Sequence, residues 1–388
     1  MRRRGSDSDP AMSKKGAPPI AAAPQTRHLP STPDSKLESL KKLFEAEIEE
    51  IDHTLLDYLE GFEHPRSHYR MMAYHFGYAD RNLERLRPGE FLPRGKRLRP
   101  ILCMLFCRMM KVDAELGRIV MMATEVMHAA SLAHDDIEDK DPVRWGRPTV
   151  NFQFGTDLAI NMGDGLIGLV YELLLELTML GVAPQQALDV LKVFNGTHLR
   201  MCEGQYLDLT SKFHDELQVE DYLDMIVRKT ASPCTCIADT IAILSSCREE
   251  DRRTLHRFGE SLGVLYQICD DIRGLWSDPK VLGRQVGGDI GQQRASLPLL
   301  YGFRQGTPAF REALKGRQAG QDAIASTDME WIRAELDACG AYELCLRDAT
   351  TYYDDALEAL GRLDRKGAES AVLTGILDAC FASVQLKG

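Results

Sequence analysis

Apolar side chains recur at intervals of three and four along almost the whole chain beyond residue 35, and that spacing favours one class of secondary structure. In "KLESLKKLFEAEIEEIDHTLLDYLEGF" the residues Leu37, Leu40, Phe44, Ile48, Ile51, Leu55 and Leu59 fall on one face of a helix. The same period predicts helices over 98–110, 116–137, 156–180, 186–210, 219–245, 251–272, 308–315, 328–338, 341–361 and 366–386. Strand-type alternation is scarce, no Asn-Gly turn joins two alternating runs, and no repeat period is visible. The fold class is therefore expected to be all-α. Pro233, in "VRKTASPCTCIADTIAIL", is expected to kink or break its helix near Lys229 and Thr230, because proline has no N–H to give the preceding turn. Such a break can turn a side chain toward a ligand.

Residues 1–35 are rich in Ala, Pro, Ser and basic residues and almost free of large apolar ones. They cannot bury enough surface to offset the entropy of ordering, so they are expected to be a disordered tail ahead of one domain over 36–388. The tail is either a plain flexible leader or a targeting tag for a partner. A net charge of -11 argues against nucleic-acid binding. Ten cysteines lie scattered without paired spacing, as in a protein kept reduced in the cytoplasm. No apolar run is seen to approach the roughly 18–20 residues of a membrane span, and the Arg-bearing start lacks the apolar core of a secretory signal. A soluble protein without a transmembrane segment is expected.

Two acidic segments ask for a chemical reason. "DDIEDKD", 135–141, holds five carboxylates in seven positions, and Asp135 and Asp139 share a helix face where like charges repel. Further on, "GVLYQICDDIRGLWSD" is an apolar helix ending in Asp270 and Asp271. Carboxylates at two helix ends suit hard divalent cations, and Mg²⁺ takes one or two of them together with water and substrate phosphates. Short basic spots accompany them: Lys96, Arg97 and Arg99 in "RGKRLRP", then Arg144, Lys229 with Thr230, Arg284 and Arg294. Singly placed Lys and Arg suit phosphate oxygens.

The ordered series "GKRLRP", "HAASLAHDDIED…RWGRPTVN", "EGQYLDL", "RKTASP" and "LYQICDDIRGLWSDPKVLGRQVGGDIGQQRASLPLL" resembles the trans-isoprenyl diphosphate synthases over residues 36–388, with bacterial geranylgeranyl diphosphate synthases among the nearest in pattern. The resemblance implies an isoprenoid-synthase helical bundle with a central cavity, usually a homodimer. It implies ionisation of an allylic diphosphate, attack by the double bond of isopentenyl diphosphate, and loss of a proton. It also implies Mg²⁺, three ions with bound diphosphate. Asp135 and Asp139, with Asp136 beside them, match the first aspartate-rich motif; Asp270 and Asp271 match the second. Lys229 matches the lysine that holds the allylic diphosphate, with Thr230 beside it as a substrate-binding group. Arg144 matches the first arginine after the first motif, also substrate-binding; Lys96, Arg99 and His128 match the isopentenyl diphosphate pocket. Gln205, Asp208 and Gln267 match polar groups near metal and cation, and Arg284 and Arg294 stand where relatives carry Lys. Ala130 and Ser131, with Met127 a turn deeper, line the expected path of the growing prenyl tail and leave room for a C20 product.

Two departures stand out. Gly274 replaces the last aspartate of the second motif, and Trp145 replaces the second of two arginines after the first motif. A tryptophan offers one N–H and no charge. Two other readings therefore compete with chain elongation: a synthase-like terpene cyclase acting on one prenyl diphosphate, and a regulatory subunit of a heteromeric synthase. Retention of both acidic segments and Lys229 argues against the subunit; Lys96, Arg99 and His128 argue for elongation.

Overall fold

The computed structural model describes residues 42–87, 89–95, 97–277, 290, 294–316, 326–363 and 367–385. The expected tail, Lys96 and Arg284 lie outside the described residues. The elements are α1 (Glu45–Glu60), α2 (Arg66–Phe76), α3 (Leu98–Met110), α4 (Ala114–Glu138), β1 (Val143–Arg144), β2 (Arg147–Pro148), α5 (Val150–Phe154), α6 (Thr156–Met179), α7 (Pro184–Thr210) and α8 (Val219–Ile226). A π-helical turn, Val227–Ala231, follows, then α9 (Ser232–Ser245), α10 (Glu249–Trp276), α11 (Leu297–Gln305), α12 (Pro308–Gly316), α13 (Ser326–Ala338), α14 (Ala341–Arg362) and α15 (Ala368–Ala382). The fold is all-α, as the periodicity requires; the described strands are one two-residue pair.

Contacts gather the chain into two compact units, the first containing Leu43–Met104 and Asp113–Gly181, the second Leu105–Val112 and Val182–Gly388. In the first, α4 packs along α6. Helix α4 is buried nearly all round, from Ile119 and Val120 to Ala130 and Ala133, which marks it as a central helix. Helix α6 buries one stripe, Ala159, Met162, Leu166, Val170, Leu173 and Leu177, and leaves Leu158, Leu175 and Met179 outside. It also corrects one expectation. With a mean hydropathy of 1.5 in its richest stretch, α6 is long and apolar enough to cross a bilayer. Asp157, Asp164, Glu172 and Glu176 interrupt its apolar runs, so no single run reveals it. Packing of its inner stripe on α4 is the use a core helix makes of the same composition.

In the second unit α10 is central, with α9 and α14 against it. Leu255, Phe258, Leu262, Leu265 and Ile268 are at most 1% exposed, and each such side chain contributes about 1.5–3 kcal/mol on burial. Phe106 meets Phe258 edge-on at 5.8 Å. None of the ten cysteines is in a disulfide, and most are buried.

The expected helix over 219–245 is three pieces, because the chain widens into the π turn before Pro233, which enters α9 in its first turn. Three of the described helices are absent from the expectation, and each lacks a stripe. Helices α2 and α11 bury consecutive residues, Met71–Phe76 and Leu297–Phe303, and α5 is only five residues long.

Candidate active site

Helix α4 starts on an Asp113 cap, whose carboxylate accepts from the amides of Glu115 and Leu116, and it ends at the first acidic segment. Asp135 and Asp139 stand one turn apart there, both partly exposed. Asp136 points into protein: it is 2% exposed, and its Oδ1 accepts from Arg144 Nε at 2.6 Å. Burial raises its pKa to about 6, against the opposing pull of Arg144.

Arg144 lies in the β1–β2 hairpin, whose turn is Trp145-Gly146 with φ of 51° and 78°. Two left-handed residues make the mirror-image turn that matches strand twist, normally Asn-Gly. A tryptophan there costs on the order of 1–3 kcal/mol and needs surroundings that hold it. The Arg144 and Arg147 guanidinium groups lie 5.9 and 5.8 Å from its ring centre. A β-carbon on Gly95 would stand 3.1 Å from the indole, so the ring lies close on that backbone and would have to shift by a few tenths of an ångström for a larger residue. Arg147 is anchored in turn, donating to the carbonyls of Tyr74 and of His75, the latter at 2.6 Å.

Arg99 is in the first turn of α3 and is partly exposed. His128, on α4, is also partly open, yet desolvation first and then Arg99, Arg144 and Arg97 push its pKa well below the usual imidazole range. It is a neutral ring among cations. On the same helix Ala130 and Met127 are 1% exposed, and the Ser131 hydroxyl folds back to donate to the His128 carbonyl at 2.8 Å.

In the second unit the π turn carries Lys229. A π turn bulges from the helix line, and here it fits because α7 offers Gly204: a β-carbon there would stand 2.4 Å from the Lys229 nitrogen. Lys229 Nζ donates to Asp208 Oδ2 at 2.7 Å, and Arg294 Nη1 reaches the same oxygen at 2.9 Å. Thr230 Oγ1 donates to Gln267 Oε1 at 2.9 Å, and Gln267 Nε2 donates to Asp271 Oδ1 at 2.8 Å. Asp271 is buried, and its other oxygen accepts from the Tyr222 hydroxyl at 2.8 Å and the Leu297 amide at 3.0 Å. Asp270 is more open and is paired with Arg273 at 2.9 Å. Gln205 is partly exposed on α7, and Gly274 is a helical residue of α10.

The Polyprenyl synthetase family model matches residues 86–336. The chain belongs to the polyprenyl synthetase family. It is 30% identical over 280 residues to the geranylgeranyl diphosphate synthase of Sulfolobus acidocaldarius, covering 71% of this chain and 83% of that one. It is 29% identical over 266 residues to the octaprenyl diphosphate synthase of Escherichia coli, covering 69% and 79%. The crystal structure of a polyprenyl synthetase from Streptomyces coelicolor A3(2) superposes with a TM-score of 0.76 at 27% identity, covering 89% of this chain and 99% of that one. The fold is the all-α isoprenoid-synthase fold.

In this polyprenyl synthetase no three His, Cys, Asp or Glu side chains among the described residues converge into a metal cage. Partly exposed carboxylates are offered by Asp135 and Asp139 in one unit and, beside its Arg273 partner, by Asp270 in the other. Carboxylates of this kind, taken in each unit by itself, suit Mg²⁺, which completes its shell with water and phosphate oxygens rather than with an all-protein cage. Asp136 and Asp271 are the buried members, and both accept from protein donors. Sequence reasoning missed Tyr222 and His75, which carry no motif signal. It saw Arg97 only as one more basic residue.

Proposed function

We propose that this synthetase is a Mg²⁺-dependent prenyltransferase that condenses isopentenyl diphosphate with an allylic prenyl diphosphate, giving geranylgeranyl diphosphate. The observation that carries the reading is two separate cation sets, one facing His128 and one sharing Asp208, enough for a diphosphate each. A family match running from 86 to 336 through both units supports treating 36–388 as one synthase domain. The relatives' names support the reaction class, and their spread from geranylgeranyl to octaprenyl leaves product length to this chain's own residues.

Lys229 and Arg294 hold the allylic diphosphate. Their shared carboxylate, Asp208, keeps both extended before substrate arrives, which lowers the entropy of capture. Thr230 and Gln267 present fixed dipoles to the allylic cation, and Asp271 with Tyr222 locks the Gln267 amide. Asp135, Asp139 and Asp270 would hold Mg²⁺; Asp136 and Asp271 orient neighbours. When bound, Mg²⁺ neutralises the charge growing on the leaving diphosphate. Arg99, Lys96, Arg144 and neutral His128 receive isopentenyl diphosphate. Buried Ala130 and Met127, with small Ser131, set tail length. Gln205 and Arg284 complete the polar surroundings. The exposed apolar residues of α6, and Leu188, Leu199, Tyr206 and Leu209 of α7, support a homodimer, tested by mass in solution. Ten cysteines without a disulfide support a cytoplasmic setting.

Trp145 favours a second reading, a cyclase acting on one prenyl diphosphate, because an arginine charge is missing beside Arg144. Incubation of purified protein with Mg²⁺, isopentenyl diphosphate and each allylic diphosphate in turn, with products identified by mass, decides. Condensation gives a longer diphosphate. Hydrocarbon or alcohol from a single prenyl diphosphate, with isopentenyl diphosphate unconsumed, replaces the first reading by the second.

A further inference from the structure

The basic turn holds a cation to which condensation assigns no task. Arg97 is 5% exposed, and its backbone φ is 54°, in the left-handed region. Its guanidinium donates to Glu125 on α4, to Asp52 on α1 at 2.9 Å and to the Tyr78 hydroxyl at 3.2 Å. Asp52, 2% exposed, also accepts from Tyr78 at 2.5 Å and from Arg94 Nε at 2.6 Å. Two carboxylates thus balance two guanidinium groups inside one unit.

Such a network is a poor route to stability, since well-packed apolar residues often serve as well or better. Left-handed backbone is likewise a poor place for an arginine. What the arrangement secures is the placing of Arg94, Gly95 and Arg97 just ahead of α3. Arg94 and Arg97 are both tied to Asp52, and between them Gly95 lies under the Trp145 ring. The turn is held on two sides before it delivers Arg99 into the first turn of α3.

We propose that Arg97 is a positioning residue for the isopentenyl diphosphate site: its fork, gripped by Asp52 and Glu125, fixes the turn so that Arg99 meets the diphosphate in a preset orientation. The proposal rests on the reading of Arg99 and His128 as binding groups for that substrate. Arg97 itself, buried and with both terminal guanidinium nitrogens engaged, acts only through the turn. A loosened Arg99 has to be ordered at each binding event, and that cost falls on one substrate.

Arg97→Lys keeps the charge and loses the fork. Its KM for isopentenyl diphosphate is expected to rise about tenfold, a fraction of a charge-assisted hydrogen bond to roughly the whole of one. The KM for the allylic substrate, and kcat at saturating isopentenyl diphosphate, stay near wild type. Glu125→Gln keeps the Asp52 pair and shifts the same KM less; it carries the test if Arg97→Lys does not fold. A folded variant with unchanged KM, or one in which both KM values or kcat alone follow the loss of thermal stability, overturns the proposal. Arg99→Ala separates the two layers. No change in the isopentenyl diphosphate KM there removes the underlying reading; a rise there, with none in Arg97→Lys or Glu125→Gln, removes only the positioning role.

Discussion

Replacing Trp145 with arginine puts a charge back where the family carries one, and the structure sets both sides of the balance. The ring's two guanidinium neighbours, at 5.9 and 5.8 Å, lose cation–π contacts worth about 0.5–1 kcal/mol each. A new charge at about 6 Å repels each of them by about 0.7 kcal/mol in water. The free enzyme is therefore expected to lose about 2–3 kcal/mol of stability. Binding of a diphosphate relieves that repulsion and adds a charge-assisted hydrogen bond worth about 1.5–3 kcal/mol, or roughly ten- to a hundredfold in affinity. Initial rates with isopentenyl diphosphate varied at saturating allylic substrate should show KM falling by that factor in Trp145→Arg, beside a lower melting temperature. A lower melting temperature with KM unchanged means that Trp145 only packs on Gly95. A fall in the allylic KM instead means that this position serves the other diphosphate.

Asp135→Ala, Asp139→Ala and Asp270→Ala should each cut turnover by about 10²–10³ with helical circular dichroism intact, the scale of one lost transition-state interaction; near-normal turnover in Asp135→Ala with Mg²⁺ present removes the proposed metal site. Ala130→Phe should shorten the product from geranylgeranyl to farnesyl diphosphate, because one helical turn, about 5.4 Å, is comparable to one isoprene unit; an unchanged product means the tail runs elsewhere. His75 is 5% exposed, contacts the Ala129 carbonyl at 2.9 Å and has its pKa lowered to about 3, chiefly by burial. The unfolded chain, with an imidazole pKa of about 6.5, binds that proton first, so stability is full above the unfolded value and falls as pH drops from there toward the folded one. At pH 5 the loss relative to pH 8 is about 2 kcal/mol. Urea titrations at both pH values should show His75→Gln losing less than wild type by that amount, and parallel losses in the two proteins refute the assignment.

The long helices were legible because each has a wet face and a dry one. Phe44, Ile48, Ile51, Leu55 and Leu59, spaced along the sequence at three and four, are all buried. Helix α11 defeats the same rule by being dry all round, Leu297 to Phe303. The hairpin at 143–148 escapes notice because its turn is Trp-Gly and its strands are two residues each, too short to alternate. At the site, the residues that face phosphate or metal announce themselves by charge at fixed spacing. Those that hold them do not. Tyr222 and His75 are ordinary residues of apolar segments, and their partners lie 49 and 54 positions away. That separation is fixed by tertiary packing, which no local pattern encodes.

The π turn at Val227–Ala231 holds one residue more than an α-helix would use over the same rise. Each residue advances a helix by about 100°, so the surplus residue resets the angular phase of everything after it. Tyr222 before the turn is addressed to Asp271, and Ile237 and Ile241 after it to the core, out of step by that one increment. Lys229 and Thr230 occupy the offset itself. Their aim thus depends on the residue count as well as on Gly204 and Asp208, and a single-residue deletion here re-aims the lysine while either helix can keep its place.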